Sequence, residues 1–311
     1  MRWKTTLVLL LVTVGIGAYV SLYELKQPTP EEREQLAKQV VQVDPSSVFQ
    51  LVLDLPQAKV TLTRDDAAWK LAPKNVRANT ELIEQILYQL SPLRAERVLS
   101  AKPNAPLDLK TFGLDPAIGW LSIIAGGSPV TLLIGEVTAL PSHRYLKLSN
   151  RPEVFIVSSS LFDLANVAPD TFRDPLLVHA QSALTKQLTI TSAHGTQAGA
   201  TALVDALGAI QIKRFVNDVP TVEGLAEWGF DHPKAEVVIQ SLESTTPMTI
   251  FFGNTLKDDA SLLYAKRDDD LSVYAVAASE VDSLLKDPAI LRAKPPAPPT
   301  TKPTTPSPQP H

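Results

Sequence analysis

The sequence predicts an α+β protein: two tandem related domains, each an antiparallel β-meander with packed helices, placed after an N-terminal transmembrane helix. Two observations lead there. The motif Phe112-Gly113-Leu114-Asp115-Pro116 returns as Trp228-Gly229-Phe230-Asp231-His232-Pro233, and each copy is followed by the same succession of segments. Leu133-Ile134-Gly135 answers Phe251-Phe252-Gly253, Tyr145-Leu146-Lys147 answers Tyr264-Ala265-Lys266, and Val154-Phe155-Ile156-Val157 answers Val273-Tyr274-Ala275-Val276. The offset drifts only from 116 (Gly113 to Gly229) to 119 (Tyr145 to Tyr264), as in a duplicated domain with small loop differences. The second observation is a run of 19 residues without a charge, from Thr5 to Tyr23.

At about 1.5 Å per residue that run just spans a hydrocarbon core of roughly 30 Å. Arg2 and Lys4 precede it, whereas Glu24, Glu31, Glu32 and Glu34 dominate its C-terminal flank, so the positive-inside bias puts the N-terminus in the cytoplasm. The run exceeds the apolar segment of roughly 7–15 residues usual in a cleaved signal peptide, which favours retention as an anchor. Residues 1–25 thus read as cytoplasmic end and anchor, and residues 26–44 as a stalk. Within the stalk Thr29-Pro30-Glu31-Glu32 has the form of a capped helix start, with Leu36 and Val40 four apart and Asp44-Pro45 as the stop.

The first repeat, 45–180, opens with three strand-like segments, Val48 to Leu55, Lys59 to Arg64 and Ala68 to Leu71. Leu82, Ile83, Ile86, Leu87 and Leu90 then fall at helical spacing, predicting a helix over 79–90 that covers the sheet. A short strand near 93–99 leads to the turn motif, where Gly113 permits a positive φ and Pro116 fixes the next one. Four antiparallel strands are expected after it, at 120–125, 130–134, 144–148 and 154–157, then a helix over 159–167. The second repeat, 181–290, is shortened: nothing in it answers the segment 59–71 with Trp69, while 201–207 matches the helix and 209–215 the short strand. Residues 291–311 form a Pro-rich tail, expected to be disordered.

Composition excludes several function classes. The charge of −4, from 29 basic and 33 acidic residues, gives no pull toward nucleic acid. With no cysteine there is no disulfide, thiolate metal site or cysteine nucleophile. The histidines, at 143, 179, 194, 232 and 311, show no zinc-hydrolase spacing, and the aspartate runs lack the calcium-loop pattern. No phosphate-cradling loop or nucleophile elbow occurs, so no catalytic, cofactor or metal residues are assigned. The one repeated polar pattern is Tyr-x-Lys. On a strand, positions i and i+2 share a face, so Tyr145 with Lys147, and Tyr264 with Lys266, set a phenol beside an ammonium and form a candidate contact for a carboxylate or saccharide hydroxyl. The plainer alternative is a half-exposed strand with the tyrosine paired to Phe155 or Tyr274 across strands.

The apolar N-terminal run, the Pro-Glu-Glu stalk, Trp69-Lys70-Leu71-Ala72-Pro73, the helix at 79–90, and the Phe-Gly-Leu-Asp-Pro turn followed by Leu-Ile-Gly resemble the domain-of-unknown-function 4340 family, over residues 1 to about 290. The resemblance implies a bacterial membrane-anchored envelope protein, some relatives being encoded beside ABC-type exporter components or gliding-type auxiliary proteins, and it supplies no catalytic residue. The expectation is therefore a non-enzymatic inner-membrane protein with its bulk outside the cytoplasm, a binding or scaffold subunit with a protein partner in the envelope. Two alternatives stand beside it: a glycan or small-ligand receptor using the Tyr and Lys strands, and a hydrolase of envelope polymers.

Overall fold

A computed structural model describes residues 29–286 except 66, 67, 103, 104, 194, 199 and 200, together with residues 3 and 13. The expected span, 5–23 apart from Thr13, and the Pro-rich tail lie outside the described residues. Among the described residues no helix is long and apolar enough to cross a membrane. The chain divides into two compact units, one of residues up to Pro73 plus Ala78–Phe172, the other of Lys74–Arg77 plus the residues from Arg173 on.

In the first unit, helix α1 (Pro30–Lys38) carries the expected capping box: Glu32 N–H donates to Thr29 Oγ1 at 3.2 Å, and Thr29 N–H to the Glu32 carboxylate at 2.8 Å. The helix stops at Lys38, before Asp44-Pro45. Two β-branched residues explain the difference, since Val40 and Val41 are buried in the first core on strand β1 (Gln39–Val41). Strands β2 (Gln50–Asp54), β3 (Lys59–Asp65) and β4 (Ala68–Ala72) come next as the alternation predicts, and the two-residue β5 (Val76–Arg77) that follows in the chain falls among the residues of the second unit. Helix α2 (Thr80–Leu90) is capped by Asn79 and buries Ile83, Ile86, Leu87 and Leu90, four of the five residues picked out by their helical spacing, while Leu82 is partly buried against the same core. After it lie β6 (Leu93–Arg94), which pairs with β1, and β7 (Arg97–Leu99). The meander after the turn motif is β8 (Gly119–Ile124), β9 (Val130–Val137), β10 (His143–Leu148) and β11 (Val154–Ser158), closed by α3 (Ser160–Ala165). The order of the first unit's own strands in its large sheet is β4-β3-β2-β8-β9-β10-β11-β7.

The second unit comprises β12 (Thr185–Ser192), β13 (Gly195–Ala198), α4 (Thr201–Gly208), β14 (Ile212–Asn217), α5 (Val222–Glu227), β15 (Ala235–Ser241), β16 (Met248–Thr255), β17 (Leu262–Arg267), β18 (Val273–Ala277) and α6 (Ala278–Lys286). Its seven-stranded order, β13-β12-β15-β16-β17-β18-β14, repeats the first sheet from β3 to β7. Contrary to the expectation that nothing answers residues 59–71, a counterpart of β3 does exist, as β13, and among the described residues the second sheet has no strand answering β4. Its polar Gly195-Thr196-Gln197-Ala198 sequence has no apolar alternation to reveal it. Residues 173–180 go with the second unit because Leu177 and Val178 are buried in its core and Leu177 N–H donates to Ile210 O at 3.0 Å.

Candidate functional site

The repeated turn motif is a packing device. Gly113 has φ +63° and Gly229 φ +84°, the left-handed region that favours glycine. The carbonyl just before each lies against a second glycine on the neighbouring strand: a Cβ on Gly135 would lie 2.3 Å from Phe112 O, and one on Gly253 would lie 2.2 Å from Trp228 O. Phe112, Leu114, Trp228 and Phe230 thereby seat directly on β9 or β16, and Leu114 is buried. The Asp115–Pro116 peptide is cis, whereas Pro233 follows His232 by an ordinary trans bond. Asp231 accepts from the His232 N–H at 2.9 Å.

The same device takes up the tyrosines. Tyr145 packs against Phe112 with ring centroids 4.8 Å apart, and Tyr264 stacks on Trp228 at 5.5 Å. Their aromatic partner is therefore the turn motif. Phe155 and Tyr274, the cross-strand alternatives, sit in the cores on the opposite pleat. The lysines are also committed. Lys147 Nζ donates to Leu148 O at 2.9 Å and Arg151 O at 2.6 Å, and Lys266 Nζ donates to Arg267 O at 2.9 Å, so each ammonium ties down the end of a hairpin. Lys147→Ala is expected to lower stability by roughly 1 kcal/mol in a urea melt while leaving ligand binding unchanged.

Register supplies the tyrosines with a different cation. Tyr145 lies opposite Ile156, which lies opposite Arg97, and Tyr264 lies opposite Ala275, which lies opposite Arg214. Each repeat thus carries a row of Tyr, small or branched apolar residue, and Arg across three strands. Sequence reasoning missed it because Arg97 and Tyr145 are far apart in the chain. The aligned positions of 92–98 and 209–215 held the signal, an arginine in each. In the first unit the row opens into a groove of about 480 Å³ lined by Glu96, Arg97, Thr138, Ala139, Leu140, Tyr145 and Ile156. Among the described residues neither the Arg97 guanidinium nor the Tyr145 hydroxyl has a hydrogen-bond partner. In the second unit Arg214 donates to Asp258 at 2.6 Å, and burial, then the Asp258 and Glu227 carboxylates, hold the Tyr264 phenol above its usual range.

A family model described as a domain of unknown function, DUF4340, matches residues 69–200 and again 192–302. The chain belongs to the DUF4340 family. The two DUF4340 matches include the turn motif, the four strands after it, and both Tyr–Arg rows. No curated protein and no solved structure matches the chain. The resemblance seen from residue 1 onward is thus carried from Trp69 on.

The second unit also holds a buried ionic network, and among the described residues the first unit has Leu148 and Phe155 in its core where the second has Arg267 and Tyr274. Arg267, 1% exposed, donates from Nε to Asp269 at 2.9 Å, from Nη1 to Leu177 O at 2.8 Å, and from Nη2 to Tyr274 Oη at 3.1 Å and to the Asp270 carboxylate. Tyr274 in turn donates to Asp270 at 2.6 Å, and burial pushes its phenol well above the ordinary range. Alongside, Asp218 pairs with Arg173 and with Lys74 at 3.0 Å. Asp174 accepts from the Leu176 N–H at 3.0 Å and lies 2.8 Å from His179 Nε2. Burial alone would raise both carboxyls, but these hydrogen bonds and nearby cations outweigh it and hold both below the ordinary range. A depressed folded value gives stability that is present above about pH 4 and disappears as pH falls through the folded value. The second unit's melting temperature is therefore expected to fall in that acid window, and Asp218→Asn to flatten the fall, as followed by calorimetry from pH 7 to 2. Among the described residues no group of His, Asp or Glu is placed to hold a metal ion.

Proposed function

We propose that this chain is a non-enzymatic, membrane-anchored binding or scaffold protein, an accessory subunit of an envelope or ABC-type transport assembly. Residues 5–23 would hold it in the bacterial inner membrane with the N-terminus cytoplasmic and both units outside the cytoplasm. The observation that carries the reading is the duplicated sheet face. Helices lie over one face of each sheet, and the other face repeats a half-buried pattern: Trp120, Leu133 and Lys147 in register in the first unit, Glu236, Phe251 and Lys266 in the second. Half-buried aromatic and aliphatic side chains beside a few polar groups are the composition of a recognition surface. The receptor alternative, built on Tyr and Lys, is weakened because both ammonium groups already serve hairpin carbonyls.

The test is a crosslinking pull-down of the full-length chain from membranes beside a chain beginning at Lys26. A defined protein complex, lost when the N-terminal segment is removed, supports the accessory-subunit reading. Saccharide retained with no protein partner would move the function to the receptor alternative, and turnover of an envelope polymer to the hydrolase.

A further inference from the structure

We infer that the groove of the first unit is a carboxylate-recognition site, occupied by an Asp or Glu side chain on a loop of a partner protein. The inference deepens the binding-module reading and rests on it for the partner. It starts from the two rows, Tyr145 to Arg97 and Tyr264 to Arg214, which occupy equivalent register positions. Equivalent architecture makes each repeat a control for the other.

In the second unit the arginine of the row is paired from within. The loop between β16 and β17 brings Asp258 onto the Arg214 guanidinium at 2.6 Å, and Lys257 of the same loop pairs with Glu227 at 2.6 Å beneath the motif that seats Tyr264. The loop 257–261 is closed by the backbone bond Leu256 N–H to Leu262 O, at 3.0 Å. The corresponding loop of the first unit is bounded in the same way, by Thr138 N–H to His143 O at 2.9 Å, but it reads Ala139-Leu140-Pro141-Ser142 and contains no acid. What the second repeat fills with its own aspartate, the first leaves as a groove of about 480 Å³ with Arg97 and Tyr145 in its wall.

The occupant's chemistry is set by the built-in example. A guanidinium recognises a carboxylate through its planar fork of donors, as Arg214 holds Asp258. Thr138 supplies no competing bond, since its hydroxyl donates to Leu140 O at 3.0 Å and accepts from Leu140 N–H at 3.1 Å, folding the loop on itself. Leu140, half-exposed at the rim, and Ile156 give an apolar wall for the carbon chain that bears the carboxylate. Glu96 on the same wall repels a bare anion, so the ligand is held by carboxylate, chain and loop shape together. The bound loop in the second repeat is peptide, which makes a partner's peptide loop the matching occupant. An exposed guanidinium–carboxylate pair is individually weak, so a short peptide is expected to bind with Kd on the order of 1 mM, the partner adding affinity through area.

The probe is the capped hexapeptide copying residues 256–261, Leu-Lys-Asp-Asp-Ala-Ser, titrated into the full chain with 15N-labelled arginine. The expected result is a saturable shift of the Arg97 Nε resonance. The shift should weaken about tenfold with a peptide carrying Asn at its first Asp and with Ala139→Asp, which gives the first loop an acid of its own, and the affinity of 15N-labelled peptide, read from its own amide shifts, should fall by the same factor with Arg97→Gln. Binding that is absent, that survives Arg97→Gln, or that inorganic phosphate reproduces at the same concentration would overturn the inference. A membrane complex indifferent to Arg97→Gln sinks this site alone. Peptide binding without any membrane complex sinks the accessory-subunit reading alone.

Discussion

Replacing Gly135 by alanine is expected to destabilise the first unit by about 3 kcal/mol, the upper range for forcing a methyl into a filled space. The added carbon would sit 2.3 Å from Phe112 O and 3.1 Å from Leu114 Cγ, and the first of these is backbone, which has no rotamer by which to withdraw. To relieve the overlap the turn must lift from β9, separating Phe112 from Tyr145 and drawing Leu114 out of its buried position. Gly253→Ala meets Trp228 O at 2.2 Å and should do the same to the second unit. Gly127→Ala is the built-in control. Nothing lies within 4 Å of a Cβ there and its φ is not positive, so its effect should stay within about 0.5 kcal/mol. Urea melts of the three variants decide it. Equal midpoints for Gly127→Ala and Gly135→Ala would show that the motif does not hold the meander in place.

The second large effect is expected at Arg267. Arg267→Leu should cost the second unit about 3 kcal/mol, because it leaves the buried Tyr274 hydroxyl and the largely buried Asp270 carboxylate without their cation. The first repeat indicates how the loss can be recovered. The positions of Arg267 and Tyr274 correspond to Leu148 and Phe155, at the same offset of 119, and both of those are buried in the first core. Arg267→Leu combined with Tyr274→Phe is therefore expected to be more stable than Arg267→Leu alone, since a network replaced on both sides by apolar groups costs less than one left half satisfied. A double variant no more stable than the single one would assign the cost to Asp269, Asp270 and the Leu177 carbonyl instead.

Much of the fold was legible because its signals are local and periodic. Ile83, Ile86, Leu87 and Leu90 identify their helix by spacing, Thr29 and Glu32 identify a cap, and the glycines at 113 and 229 mark the turn on which each meander begins. What stayed hidden depends on register. Arg97 meets the Tyr145 row only through β11, and Arg214 meets Tyr264 only through β18, so the candidate site appears once the strands are paired. The Lys147 and Lys266 contacts were misleading for a related reason. Alternation along a strand sets which face a side chain leaves from, but a long lysine stem bends to the nearest unsatisfied carbonyl, here at the hairpin ends. The strand at 39–41 falls within the expected stalk because two valines are too short a run to show a period, and the polar sequence of β13 shows none at all.

Photo-crosslinking in cells tests the binding-module reading most directly. A photoreactive amino acid is placed at Leu140, on the rim of the first unit's groove, and at Tyr88, which is 77% exposed on α2 and outside it. The expected result is a discrete protein adduct from Leu140 in the membrane fraction, weakened by Arg97→Gln and absent from Tyr88. Equal labelling at the two positions, or none at Leu140 while the protein remains folded, would contradict it.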